Sequence, residues 1–138
     1  QLAEGQAVTA AAVAEKLDAL PATASADLVA NGRNLLADLK AGALANSQKA
    51  LALNPHHTNL YKSKAKVELY LATIDPRYNR QAQKTLEELV VLSPTDAKVI
   101  YNLGLIYDQL GDSAKAQAAF QKAVSLKPDY DAARAMIK

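Results

Sequence analysis

Cysteine is absent from the 138 residues. That excludes disulfides, Cys-ligated zinc, iron–sulfur clusters and thiol catalysis. It leaves the compartment open, because a secreted helical domain of this size can do without disulfides. Aromatic residues are scarce: six Tyr, one Phe and no Trp. Gly and Pro number five each, too few for a low-complexity linker. Neither sign of charge dominates. Lys and Arg total 16 against 14 Asp and Glu, a net charge of +2, which is too balanced for general nucleic-acid binding in a chain too apolar to be disordered. No apolar run reaches the roughly 18 residues that span a bilayer, so this segment is not expected to insert into a membrane. The chain starts at Gln1 with no initiator Met and no signal-peptide pattern, and it reads as a processed product or an excised part of something longer.

What fills the gap left by aromatics is alanine, 29 residues of 138. Alanine is the strongest helix former and adds little volume. Closely packed helices are therefore expected, rather than a sheet sandwich rich in Val, Ile, Thr and aromatics.

The chain repeats itself. Ala116 to Pro128 (AQAAFQKAVSLKP) matches Ala43 to Pro55 (ALANSQKALALNP), each with Ala, then Gln-Lys-Ala, then an apolar tail and Pro at the same offsets. A third copy, Ala82 to Pro94, lies between them. Helical period supports the pattern. Ala116, Phe120, Ala123 and Leu126 form one stripe, and Ile100, Leu103, Tyr107 and Leu110 form another before Gly111-Asp112 makes a turn. Each unit reads as two antiparallel helices, a tight turn, and a proline that ends it. Helices are placed at 6–20, 24–39, 43–53, 57–74, 79–92, 96–110, 113–126 and 129–137. Asp96 or Thr95 can cap the first helix of the last unit, and Asp112 or Ser113 the second. A final helix with Tyr130, Ala133 and Ile137 on one face and polar residues behind it would close an exposed end of a stack.

The stretch 97–130 resembles a tetratricopeptide repeat, whose period is about 34 residues. With Ala97 as first position, Ile100 takes the bulky place, Leu103-Gly104 the Leu-Gly pair and Tyr107 the tyrosine. Ala116, Phe120, Ala123 and Pro128 take the second-helix alanine, aromatic, alanine and the terminal proline. The middle unit matches at Ala82, Leu86, Leu89 and Pro94, with Tyr61 at the bulky place, but is five residues longer around Ile74–Asn79. The first matches at Ala43, Ala50 and Pro55. The resemblance implies an all-α, right-handed superhelix of about three helical hairpins with an extra helix at each end. Its parts are a packing helix at 1–22, a degenerate repeat at 24–57, an elongated repeat at 58–94, a well-matched repeat at 95–128 and a capping helix at 129–138. The runs Asn59 to Val67, Leu71 to Pro76, Ser93 to Asp96, Tyr101 to Gly104 and Lys127 to Tyr130 together are similar to the extracytoplasmic repeat tails of bacterial O-antigen ligase or polymerase proteins. That second resemblance implies an extracytoplasmic location, as the soluble part of a longer membrane protein.

Catalytic chemistry is not expected. His56-His57, the two histidines, are adjacent, point about 100° apart on a helix and lack partners. Glu87-Glu88 diverge in the same way. No phosphate loop, nucleophile elbow or zinc-protease motif is present, and no metal or cofactor is implied. The basic run Lys62-Ser-Lys64-Ala-Lys66 is the most distinct charge feature. Lys62 and Lys66 share a face, Lys64 points elsewhere, and a solvated helix face explains them equally well.

In the resembled family the first helix of each unit lines a concave groove through its second, fifth, ninth, twelfth and thirteenth positions. The carry-over implies Asn59, Lys62, Lys66, Leu69 and Tyr70 in the middle unit. In the last unit it implies Lys98, Tyr101, Leu105, Asp108 and Gln109, with Asn102 beside them. Such a set suits an extended protein segment bearing carboxylates. The family's carboxylate clamp for chaperone tails is incomplete: Lys98 and Asn102 fall at relevant places, but Asn stands where its third unit needs Arg. The expected function is a non-catalytic protein- or peptide-binding scaffold. The alternatives are an accessory domain of a glycan-assembling membrane protein, with tyrosines stacking on sugars, and an architectural spacer or oligomerisation module.

Overall fold

The computed structural model describes residues 1–138 and contains seven helices and no strand. They are α1 (Leu2–Asp18), α2 (Ala26–Leu53), α3 (Thr58–Ile74), α4 (Tyr78–Leu92), α5 (Ala97–Gln109), α6 (Ser113–Leu126) and α7 (Asp131–Arg134). The chain is all-α, as its alanine content and periodicity require. It divides into two compact units, Gln1–Tyr78 and Asn79–Lys138.

In the first unit α1 packs on α2 and α3, and α2 packs on α3. The core sets small residues against large ones: Ala7, Ala10 and Ala43 are buried together with Val67 and Leu71, and Leu36, Leu39, Leu44 and Ile74 pack around them. Two glycines let α1 lie close. A Cβ on Gly32 would sit 2.4 Å from Leu17 Cδ2, and one on Gly42 would sit 2.6 Å from Gln6 Nε2. Gln6 pairs with Gly42 and Leu17 with Gly32, so α1 and α2 run antiparallel.

α2 corrects the sequence reading. A turn was expected between helices at 24–39 and 43–53, but residues 26–53 form one helix of 28 residues. Gly42, which falls in the expected gap, is an interior helix position that makes room for Gln6. The degenerate repeat placed at 24–57 is therefore a single helix, with no hairpin of its own.

α3 continues through Leu71 to Ile74, as its apolar periodicity predicts, and Asp75 caps its C-terminus. With 17 residues in α3 and 15 in α4, against 13 in α5 and 14 in α6, the helices themselves absorb the extra length of the middle segment. Asp75 is the anchor of the turn. Its carboxylate accepts from Arg77 Nη2 at 2.8 Å and from Lys40 Nζ of α2 at 3.3 Å. The Arg77 guanidinium, foremost, and the Lys40 ammonium hold the Asp75 carboxyl well below the usual range.

The second unit is built around the α5–α6 hairpin. Asp96 caps α5 by accepting from the Lys98 and Val99 N–H groups, and Asp112 caps α6 by accepting from Lys115 N–H. Gly111 turns the chain at φ +83°, a conformation that costs glycine nothing. Phe120 is fully buried, and a Cβ on Gly104 would lie 2.6 Å from its ring. Ile100, Ala123 and Ala133 complete the centre. The last helix is shorter than the 129–137 expected. After Arg134 the Met136 and Ile137 N–H groups bond only three residues back, and Gln117 takes over. Its amide donates to the Met136 carbonyl and accepts from Lys138 N–H.

Candidate functional site

On α5 the residues split cleanly by burial. Val99, Ile100, Leu103, Gly104 and Ile106 are buried. Lys98, Asp108 and Gln109 are exposed, and Tyr101, Asn102 and Leu105 are half-buried. The six residues expected from the sequence therefore lie on the less buried side of this helix, at spacings of three and four that keep them on one stripe. Val99 lies between them in sequence but points to the interior. Lys98 has its backbone N–H fixed by the Asp96 cap while its side chain stays exposed.

Tyr101 packs inward as well. Its ring centroid lies 5.8 Å from Phe120 and 5.0 Å from Tyr130, both tilted, in the favourable range for aromatic pairs. The phenol of Tyr130 has its pKa raised by burial, with Tyr101 adding to the effect. Tyr101 thus joins α5 to the core and to the segment before α7.

The α3 set lies in the first unit. Asn59 and Tyr70 are exposed, Tyr70 at 41%, and Lys62 and Leu69 are half-buried. Lys66 is exposed and pairs with Glu4 of α1 at 3.5 Å. A hydrogen bond from Ser63, aided by the charge of Lys66, holds the Glu4 carboxyl below its usual pKa. Lys64 points away from Lys62 and Lys66, as helical spacing predicts, and meets Glu68 at 2.7 Å. Glu68 is buried with its Oε2 unpartnered, so Lys64 offsets a desolvated charge. Neither that pair nor Lys66–Glu4, 62 residues apart in sequence, was among the sequence expectations.

A further polar cluster escaped the sequence reading. Tyr107 donates its O–H to Glu87 Oε1 at 2.9 Å, and Gln83 donates to the same oxygen at 2.8 Å. Lys115 lies over the Tyr107 ring at 5.4 Å. Burial, then the Glu87 carboxylate, push the Tyr107 phenol up to about 12. Glu88 is exposed and takes no part. His56 and His57 are both exposed in the turn before α3.

The hollows of the molecule do not coincide with the expected residues. One of about 690 Å³ in the first unit is lined by Ala11, Glu15, Asp18, Arg33 and Thr73 among others. One of about 260 Å³ in the second unit is lined by Val90, Ile100, Leu103, Tyr107, Lys115 and Lys122 among others. None of the six α5 residues lines either of these hollows. No helix is long and apolar enough to cross a membrane.

Comparison with known families adds one finding. Residues 97–130 match the family model described as tetratricopeptide repeat. This span is a tetratricopeptide repeat. It takes in α5, α6 and the chain as far as Tyr130, and it coincides with the stretch on which the signature residues fall. The repeat supplies a protein-interaction element, because repeats of this kind generally bind proteins or peptides. The search of curated proteins finds no match to the chain.

Proposed function

We propose that the chain is a non-catalytic scaffold that binds an extended protein segment along α5 of the repeat. The observation that carries this reading is the α5 stripe: Lys98, Asn102, Leu105, Asp108 and Gln109 are exposed or half-buried at helical spacings of three and four, with Tyr101 among them packed on Phe120. In this reading Lys98 meets a carboxylate, Asn102 and Gln109 bond the main chain of the segment, and Leu105 packs against an apolar side chain. Asp108 rejects a second acidic group at the far end of the stripe. Tyr101 positions the others by its contacts with Phe120 and Tyr130. On α3, Asn59, Lys62, Lys66 and Tyr70 offer a second set of the same chemical kind, in which Lys66 must leave Glu4 to take a ligand.

Charge-assisted bonds contribute about 1.5–3 kcal/mol when shielded from water and far less when exposed. Lys98 is exposed in the free protein, so most of its contribution appears only where the ligand covers it. A peptide and glycan array on the purified domain, repeated with Lys62, Lys66 and Lys98 all replaced by Ala, tests the reading. The expected result is capture of acidic peptides by the parent, weakened and less salt-dependent in the variant. Equal signals from both proteins would remove the lysines from the site. Signal on glycans alone would overturn the protein-binding assignment.

A further inference from the structure

We propose that Asn31 is a site of spontaneous deamidation, through ring closure with Gly32, and that its rate records the opening of the first half of α2. Of seven asparagines, Asn31 alone is followed by glycine. The reaction needs the backbone nitrogen of the following residue to attack the side-chain amide, and a following side chain obstructs that approach. Gly32 has none, and its place in the fold explains why: Leu17 of α1 lies closer to it than an ordinary Cβ contact allows. The glycine that admits α1 also makes Asn31 labile.

The chemistry balances without redox. Hydroxide removes the Gly32 amide proton, and the nitrogen forms a bond to Asn31 Cγ. The bond from Cγ to the side-chain nitrogen breaks, and that nitrogen takes a proton from water and leaves as ammonia, regenerating hydroxide. Water then opens the resulting succinimide at either carbonyl, giving aspartate or isoaspartate.

Within an intact helix this attack is blocked. The Gly32 N–H is bonded one turn back, and helical ψ holds the amide away from the nitrogen. Opening must come first, and α2 is disposed to open here. None of residues 26–42 is buried, and the first buried residue of the helix is Ala43. Leu28 and Leu35 are about half exposed, at 53% and 50%. Few buried contacts and exposed backbone bonds mark the segments of low local stability. Conversion in turn favours the open state. The carboxylate it creates at position 31 stands four residues from Asp27 on the same helix, a repulsive pair, and isoaspartate adds a backbone atom that breaks helical register.

The test ages the purified chain in mildly alkaline buffer, folded and in urea, and follows each asparagine by peptide mass mapping. Asn31 should convert before Asn34, Asn46 and the others in both conditions. It should convert at least about tenfold more slowly when folded, the factor that an opening free energy of about 1.4 kcal/mol gives. Gly32→Ala should slow conversion in urea as well, and Asn31→Gln should abolish it at that peptide. Equal rates in folded and unfolded chain would overturn the gating. An Asn31 that stays intact in the folded chain while another asparagine converts would overturn the proposal.

Discussion

The two units solve the same packing problem with different materials. The first uses long helices, of 17, 28 and 17 residues, and a seam of alanine and glycine. Neither α1 nor α3 has a side-chain cap, and only Ser25 caps α2. The second uses shorter helices, α4 of 15 residues and then α5 and α6 of 13 and 14, the last two each capped by an aspartate, with Phe120 fully buried beside Leu86, Leu89 and Ile106. Short helices have a larger share of unpaired terminal groups, so caps and one large apolar side chain matter more there. Long helices spread their stability over many small contacts. Single substitutions should therefore be felt sharply in the second unit and weakly in the first.

The largest expected effect is Phe120→Ala. Removing a fully buried ring costs about 3–5 kcal/mol, and the denaturation midpoint should fall accordingly. An unchanged midpoint would place Phe120 outside the core and erase the contrast.

Next come paired glycine substitutions. Gly104→Ala pushes a methyl into the rigid, fully buried Phe120 ring and should destabilise by up to about 2 kcal/mol, the overpacking cost less the gain in helix propensity. Gly32→Ala meets the tip of a half-buried leucine that can turn aside. The same gain of about 1 kcal/mol should leave it near neutral. Urea titration of the two variants side by side sharpens the comparison, and equal losses would contradict it.

The caps are smaller in effect. Asp96→Ala and Asp112→Ala should each cost about 1 kcal/mol, measured by thermal unfolding. Smaller still, and visible only in alkali, is Tyr107→Phe. The folded phenol is raised to about 12 from the ordinary 10.0, so folding favours the protonated form. That stabilisation is complete below about pH 10 and is lost as pH rises toward 12. The stability difference between parent and Tyr107→Phe should shrink across that window, and a constant difference would show that Tyr107 titrates normally.

What the sequence revealed follows the same divide. In the second unit the signals were local: Asp96 or Thr95 and Asp112 or Ser113 before apolar periods, Gly111 in the turn, Phe120 one turn from Ala116, and the caps fall to Asp96 and Asp112. In the first, Gly42 carried two possible meanings, a helix end or a close approach, and only the position of Gln6 decides between them. The α5 residues were reached through the resemblance to the repeat family, whose groove positions carry over to Lys98, Tyr101, Leu105, Asp108 and Gln109, and helical spacing then puts them on one stripe. The partner of Tyr101 was not legible, because Tyr130 reaches it from another segment. Lys66–Glu4 and Lys40–Asp75 join residues far apart in sequence, and one chain's spacing does not encode such pairs.

The central claim, that α5 of the repeat presents the binding surface, is tested most directly by amide NMR titration of the domain with a captured acidic peptide. The account predicts shifts concentrated at Lys98, Tyr101, Asn102, Leu105, Asp108 and Gln109, while α6 residues exposed away from that stripe, Lys115 and Lys122 among them, stay in place. Shifts centred on α6, or on α1 and α2, with the α5 stripe unmoved, would contradict it.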